Sequence, residues 1–243
     1  MTRLLLKTGV LSIAFGAIII AIASCTTIEE TGNTLANFPQ AAKLRRVAVL
    51  EFSGKGSDET TSALEAALVA HHVDNAPYFS VMDRARTKDL YAEVARGLRG
   101  EVAPGTAARF GKQVGVHGVF FGRVNSQDVA NRNYIGKQYT CIRRSSSGCD
   151  KSGHINASCT EVTATVALMP RLVNVETGQV VYAQERTGTA TSSYCSGDAV
   201  ASNDTLLTQA RDRAISEIIR DVAPHSKRLG DHIAEGIKSL LKD

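Results

Sequence analysis

The chain has 243 residues, a formal charge of +4, 43% hydrophobic and 5% aromatic residues, and no tryptophan. So few rings exclude stacking platforms for bases or sugars. Two of the cations, Arg3 and Lys7, sit at the extreme N-terminus; without them 26 basic residues face 24 acidic ones, and a surplus of +2 is no argument for nucleic acid.

Arg3 and Lys7 precede an apolar run from Val10 to Ala23. The run is shorter than the ~20 residues of a membrane-spanning helix and suits the core of a signal peptide, expected over 1–24. It ends in Ile22-Ala23-Ser24-Cys25, which resembles a bacterial lipobox. That resemblance implies cleavage before Cys25, a diacylglycerol on its sulfur and an acyl chain such as palmitate on its new N-terminus. Several chains hold firmly at ~0.8 kcal/mol per buried CH₂. Thr26, rather than an aspartate, favours the outer membrane under the sorting rule the resemblance carries, with the domain facing the periplasm. Residues 25–44 are polar and unpatterned at first and read as a flexible tether.

A globular domain is expected over 45–223. Val47 to Phe52 is an apolar strand. A helix follows from Glu59 to His72, with Ala63, Leu64, Ala67, Leu68 and His71 on one stripe. Phe79 to Met82 is a short strand, and Asp83 caps a helix carrying Leu90, Val94 and Leu98. Pro104 opens a third helix that Gly115 stops. Val116 to Val124 is a strand on which His117 is expected to be buried. Asn125 to Ser158 is rich in Asn, Ser, Gly and charge and reads as a long loop within a cysteine-rich segment, 125–160. Val162 to Leu168 alternates as a half-buried strand; Pro170 marks an edge or bulge; Glu176 to Gln179 turns the chain back into Val180–Ala190 as a hairpin. A helix from Asp204 to Val222 aligns Leu207, Ala210, Ala214, Ile215, Ile218, Ile219 and Val222. Pro224 ends it, and 224–243 forms a second amphipathic helix with Leu229, Ile233 and Ile237. The fold class is α/β (α+β): one three-layer-like domain, a mixed sheet of about five strands flanked by helices.

Export determines how the cysteines read. Cys141, Cys149, Cys159 and Cys195 are an even number in an oxidising compartment, and disulfides are the default. A metal site using His154 matches no zinc spacing, so no metal is expected. If Glu176 faces Gln179, paired positions on the hairpin sum to 355, and Cys159 with Cys195 sums to 354. That favours Cys159–Cys195, leaving Cys141–Cys149, as one choice among three connectivities.

The turn Gly54-Lys55-Gly56-Ser57 lies between a strand and a helix, where a phosphate loop would sit. It lacks the first glycine that G-x-x-x-x-G-K-[ST] requires, six places before the lysine, and Asp58 and Glu59 crowd the helix start with negative charge. No nucleotide or other cofactor is expected. His71 and His72 are adjacent and diverge on a helix, and no pair of groups forms an activated nucleophile or an acid–base couple. No catalytic residue is assigned, and the chain reads as a non-enzyme. Arg143 and Arg144, in the cysteine-rich segment, are the candidate partner-binding residues.

The ordered segments RRVAVLEFSG, YFSVMDRARTKDLYAEV, GVHGVFFGRV and VALMPRLVNVETGQVVYAQERTGTA, downstream of the lipobox, resemble the CsgG family of curli assembly and transport components. Arg171 to Val180 is the most telling piece. The fold this implies is shared with the lipoprotein LpoB and the N-terminal domain of TolB. The resemblance implies a non-enzymatic lipoprotein at the cell envelope, acting in assembly or secretion through an envelope protein partner or self-oligomerisation. Activation of a peptidoglycan synthase and a true outer-membrane channel subunit are the alternatives. In the family two hairpins per subunit cross the membrane. Here Asp128, Arg132, Lys137, Arg143, Arg144, Asp150 and Lys151 interrupt the first, so the globular domain is expected to carry over better than the pore.

Overall fold

The computed structural model of the protein describes residues 33–83, 103–195 and 201–226. The signal peptide, Cys25, the helix carrying Leu90 and the C-terminal helix beyond Ser226 lie outside the described residues.

In chain order the elements are β1 (Asn33–Thr34), α1 (Pro39–Ala42), β2 (Arg46–Val49), α2 (Ser57–Ala70), β3 (His72–Val73), β4 (Ala76–Pro77), β5 (Ser80–Val81), α3 (Pro104–Val114), β6 (Gly118–Ser145), β7 (Gly148–Asn174), β8 (Val180–Ala183), β9 (Arg186–Cys195), α4 (Asn203–Val222) and β10 (His225–Ser226). The main sheet is mixed, in the order β5-β2-β6-β7-β8, and β9 also pairs with β7. β2 runs parallel to β5 and β6; every pairing of β7 is antiparallel.

Alternation along β2 shows why the domain has three layers. Val47 and Val49 point into one core with Leu64 and Leu68 of α2 and Ile215 and Ile218 of α4. Ala48 and Leu50 point into a second core with Ala107 and Phe110 of α3. A strand covered on both faces reads as a continuous apolar run, which is how this one was legible. Each large apolar side chain on the α4 stripe contributes about 1.5–3 kcal/mol by burial, which is why this helix is long and regular.

Helix ends follow local chemistry. Pro104 occupies the first turn of α3, and Gly115 closes it in the left-handed region at φ 74°. Ser202 caps α4, its Oγ accepting from Thr205 N–H at 3.1 Å. α4 starts one residue before its expected position, and Leu206 rather than Leu207 is the fully buried leucine of its first turn.

Several expectations are corrected. The tether ends earlier than residue 44. Asn33–Thr34 pairs with His225–Ser226, Phe38 N–H bonds to Asp221 O at 2.9 Å, and Ala41 and Leu44 are buried. Isolated apolar residues among polar ones gave no period there, yet Ala41 and Leu44 join the core that α4 lines, and Phe38 packs against it. His117 is exposed, because it precedes the first buried rung of β6. The return strand is two strands, β8 and β9, broken at Gln184–Glu185 opposite Met169–Pro170; Pro170 has no N–H to offer a partner there. The largest correction concerns 125–158, which is no loop.

Candidate functional site: a ribbon that leaves the core

β6 and β7 remain paired far beyond the core. The ladder runs from Gly118↔Asn174 to Ser145↔Gly148, with register shifts at Val124/Ser126 and near Cys141 and Arg143. The part past Val124 spans about 65 Å at ~3.3 Å per residue if straight. Among the described residues β9 accompanies β7 as far as Cys159↔Cys195; beyond that rung only β6 and β7 of the described strands form the ribbon. Lone two-stranded hairpins are marginal in water. Two disulfides brace this one. Cys159–Cys195 ties the third strand where it ends, with Cα atoms 4.0 Å apart, and Cys141–Cys149 ties the tip, with Cα atoms 5.8 Å apart. Past the register shift at Leu172/Val173 the paired positions sum to 354 rather than 355, which sets Cys159 and Cys195 directly opposite.

The register also sorts the charges. Arg132 pairs with Glu161 at 3.2 Å near the root, where Asp128 also lies. Arg143, Arg144, Asp150 and Lys151 gather at the tip, where Ser145 Oγ donates to Asp150 at 2.8 Å. Between these bands lie Asn133–Ile142 and Ser152–Thr160, with Lys137 as the one Lys, Arg, Asp or Glu. Each strand of this band has about the 9–11 residues that a tilted strand needs to cross a bilayer. In sequence the charges looked scattered; pairing brings all of them but Lys137 into two belts.

Residues opposite each other in a ladder share a face. One face of the band carries Tyr134, Gly136 and Gln138 with Ala157 and Ile155. The other carries Ile135, Lys137 and Tyr139 with Ser158, Asn156 and His154. Ile135 (72% exposed), Tyr139 (65%) and Ile142 (52%) stand in solvent. Along 125–145, no described strand pairs with the outer edge of β6; along 148–158, none pairs with the outer edge of β7. Arg143 and Arg144, the candidate partner-binding pair, are exposed at the tip.

The sheet and the N-terminal segment are tied to the end of α4 by groups that sequence reasoning missed. Asp221, 2% exposed, accepts from Arg186 Nε at 2.7 Å, Tyr182 Oη–H at 2.8 Å and Asn37 Nδ2 at 2.8 Å. Burial alone would raise its carboxyl, but these three donors outweigh it and hold the group below its ordinary value. Burial and the same carboxylate push the Tyr182 phenol well up. The network joins β8, β9 and the N-terminal segment to the end of α4. Asp221 lies three residues after Ile218 on the buried stripe; a charge in that position was the available signal.

A groove of ≈ 750 Å³ lies between α2 and α4, floored by Ala63, Ala67, Ile215 and Ile219, with His71 and His225 at one end. His71 Nε2–H donates to Pro224 O at 2.8 Å. Burial lowers its pKa; that hydrogen bond works in the opposite sense, and His225 and His72 lower it further. No described helix is long and apolar enough to cross a membrane.

Comparison with known proteins gives the family. The sequence profile described as Curli production assembly/transport component CsgG matches residues 30–226. No curated protein matches the sequence. Similar solved structures include the PelC dodecamer from Paraburkholderia phytofirmans, with 14% identity, TM-score 0.35, covering 81% of this chain and 98% of that one. The LpoB C-terminal domain from Salmonella enterica has 14% identity and TM-score 0.33, covering 63% and 94%. Lipoprotein GNA1162 from Neisseria meningitidis has 17% identity and TM-score 0.31, covering 71% and 96%. With the profile spanning most of the described domain, including both strands of the ribbon, this chain belongs to the CsgG family.

Proposed function

We propose that this chain is a lipid-anchored outer-membrane protein facing the periplasm, that it acts in assembly or transport at the envelope by binding protein rather than by catalysis, and that the ribbon is its binding element. Acylated Cys25 supplies the anchor. The observation that carries the reading is the pair of open ribbon edges. Unpaired N–H and C=O groups along an edge are a template for another strand. A two-stranded ribbon gains most by acquiring one. Arg143 and Arg144 would meet the acidic groups of a partner at the tip.

The belt of charges favours a second reading, a channel subunit whose ribbons pair edge to edge in a ring. The face of Tyr134, Ala157 and Ile155 would meet lipid, and that of Lys137, Asn156 and Ser158 the lumen. Both readings are tested by extracting the full-length protein from a bacterial envelope in mild detergent. Mass comes from light scattering and shape from negative-stain microscopy. Rings of many subunits support the channel. A monomer or small oligomer that captures a periplasmic protein through the ribbon supports the tethered binding domain. A monomer whose binding survives deletion of 126–158 sinks both.

A further inference from the structure

We propose that the root of the ribbon holds a seat for a small phosphate-type oxyanion, formed by the guanidinium of Arg211 and the first N–H groups of α2. The Gly54-Lys55-Gly56-Ser57 turn does not match a phosphate loop, and Asp58 and Glu59 argued against an anion there. The tertiary structure adds what the sequence could not show. Arg211, on α4, is 7% exposed, and among the described residues it forms no ion pair. Its Nε is buried with no hydrogen-bond partner. Its Nη2 comes to 3.5 Å from where a β-carbon on Gly56 would stand. A buried cation without a counter-charge is among the costliest arrangements a fold can hold.

Gly56 is the N-cap of α2, at φ 73°, and gives the helix no side-chain cap. The first N–H groups of a helix have no acceptor within it, and Arg211 Nη2 lies beside Gly56, which opens α2, so both would be served by negative charge at this end. Gln127, just past the β6 bulge, covers this spot. Its Oε1 occupies the space a β-carbon on Gly56 would need and is itself buried without a donor. Rotation of the half-exposed Gln127 side chain opens the seat, and an oxyanion supplies charge to Arg211 and acceptors to the helix. Asp58 and Glu59 are exposed, so water and salt screen their repulsion. The depth of Arg211 selects free phosphate or the terminal group of a monoester over the doubly substituted phosphate of a lipid.

The test uses the full-length protein in mild detergent. Calorimetric titration and thermal melting are run with sodium phosphate, with sodium chloride at matched ionic strength, and with phosphatidylglycerol vesicles. The expected result is a saturable response to phosphate beyond that to chloride. Arg211→Gln should lose it. Gln127→Glu keeps the side-chain shape and places a carboxylate beside Arg211; it should melt higher in chloride and bind phosphate at least tenfold more weakly. The double change Asp58→Asn with Glu59→Gln should bind several-fold more tightly. The proposal is overturned if folded Gln127→Glu binds phosphate within twofold of wild type, if wild type responds equally to chloride, or if only vesicles elicit the response.

Discussion

Cys159 and Cys195 face each other across β7 and β9 at the last described rung of that ladder. The bond closes a loop with a sequence separation of 36, for which chain entropy corresponds to about 4 kcal/mol. Replacing both residues with serine should lower the unfolding free energy, read from denaturant melts, by an amount of that order. Replacing Cys141 and Cys149 should leave the global midpoint nearly unchanged, because the tip opens locally without the core. Hydrogen exchange should then show faster exchange confined to the tip. Equal global losses from the two pairs would refute this division.

Asp221→Asn should cost about 2–4 kcal/mol, since Arg186 and Tyr182 lose a buried carboxylate acceptor. The carboxyl is held below its ordinary value of 3.8 in the folded protein. Its contribution is therefore complete above that value and is lost as pH falls through the lower folded one. Stability measured against pH should fall less steeply on the acid side for the variant than for wild type.

His71 is held below 6.5 in the folded protein, so protonating it opposes folding. Its contribution is present above pH 6.5 and is lost as pH falls through the depressed folded value. His71→Gln can still donate to Pro224 O but cannot titrate. Melting curves taken below pH 6.5 should show a shallower decline for this variant. An unchanged slope would mean that His71 titrates alike in the folded and unfolded states, with no lowering by burial.

Ile155→Lys separates the two functional readings. On a lipid-facing strand a lysine costs about 2–4 kcal/mol at mid-membrane. Ile155 is 42% exposed in the isolated chain, so the domain itself should melt as wild type does. Loss of detergent-stable rings with an unchanged midpoint supports the channel. Rings that persist would place that face away from lipid.

Gly188 on β9 touches the backbone of α4; a β-carbon there would collide with Ala210 O and stand 2.6 Å from Ala214 N. Gly188→Ala should destabilise the domain by about 1–3 kcal/mol, because main chain cannot give way as a side chain would. Denaturant melts would show it; a neutral change would mean that α4 can shift.

The sequence alone determined the elements that local chemistry delimits. Pro104 and Gly115 bounded α3, the apolar stripe defined α4, and the turn at Glu176–Gln179 placed Cys159 within one register step of Cys195. It also determined the family, through short ordered segments between Arg45 and Val222. What lay beyond it was decided by pairing and burial. Residues 125–158 have solvent on both faces over most of their length, so no apolar period marks them as strands. Their extended form comes from the β6–β7 ladder, a contact between residues far apart in the chain. Arg211 and Asp221 both fall on the buried stripe of α4, where the first forms no ion pair among the described residues and the second accepts three hydrogen bonds. That difference rests on which elements pack against each, Gly56 and Gln127 in one case, Arg186, Tyr182 and Asn37 in the other, and only the tertiary structure brings those groups together.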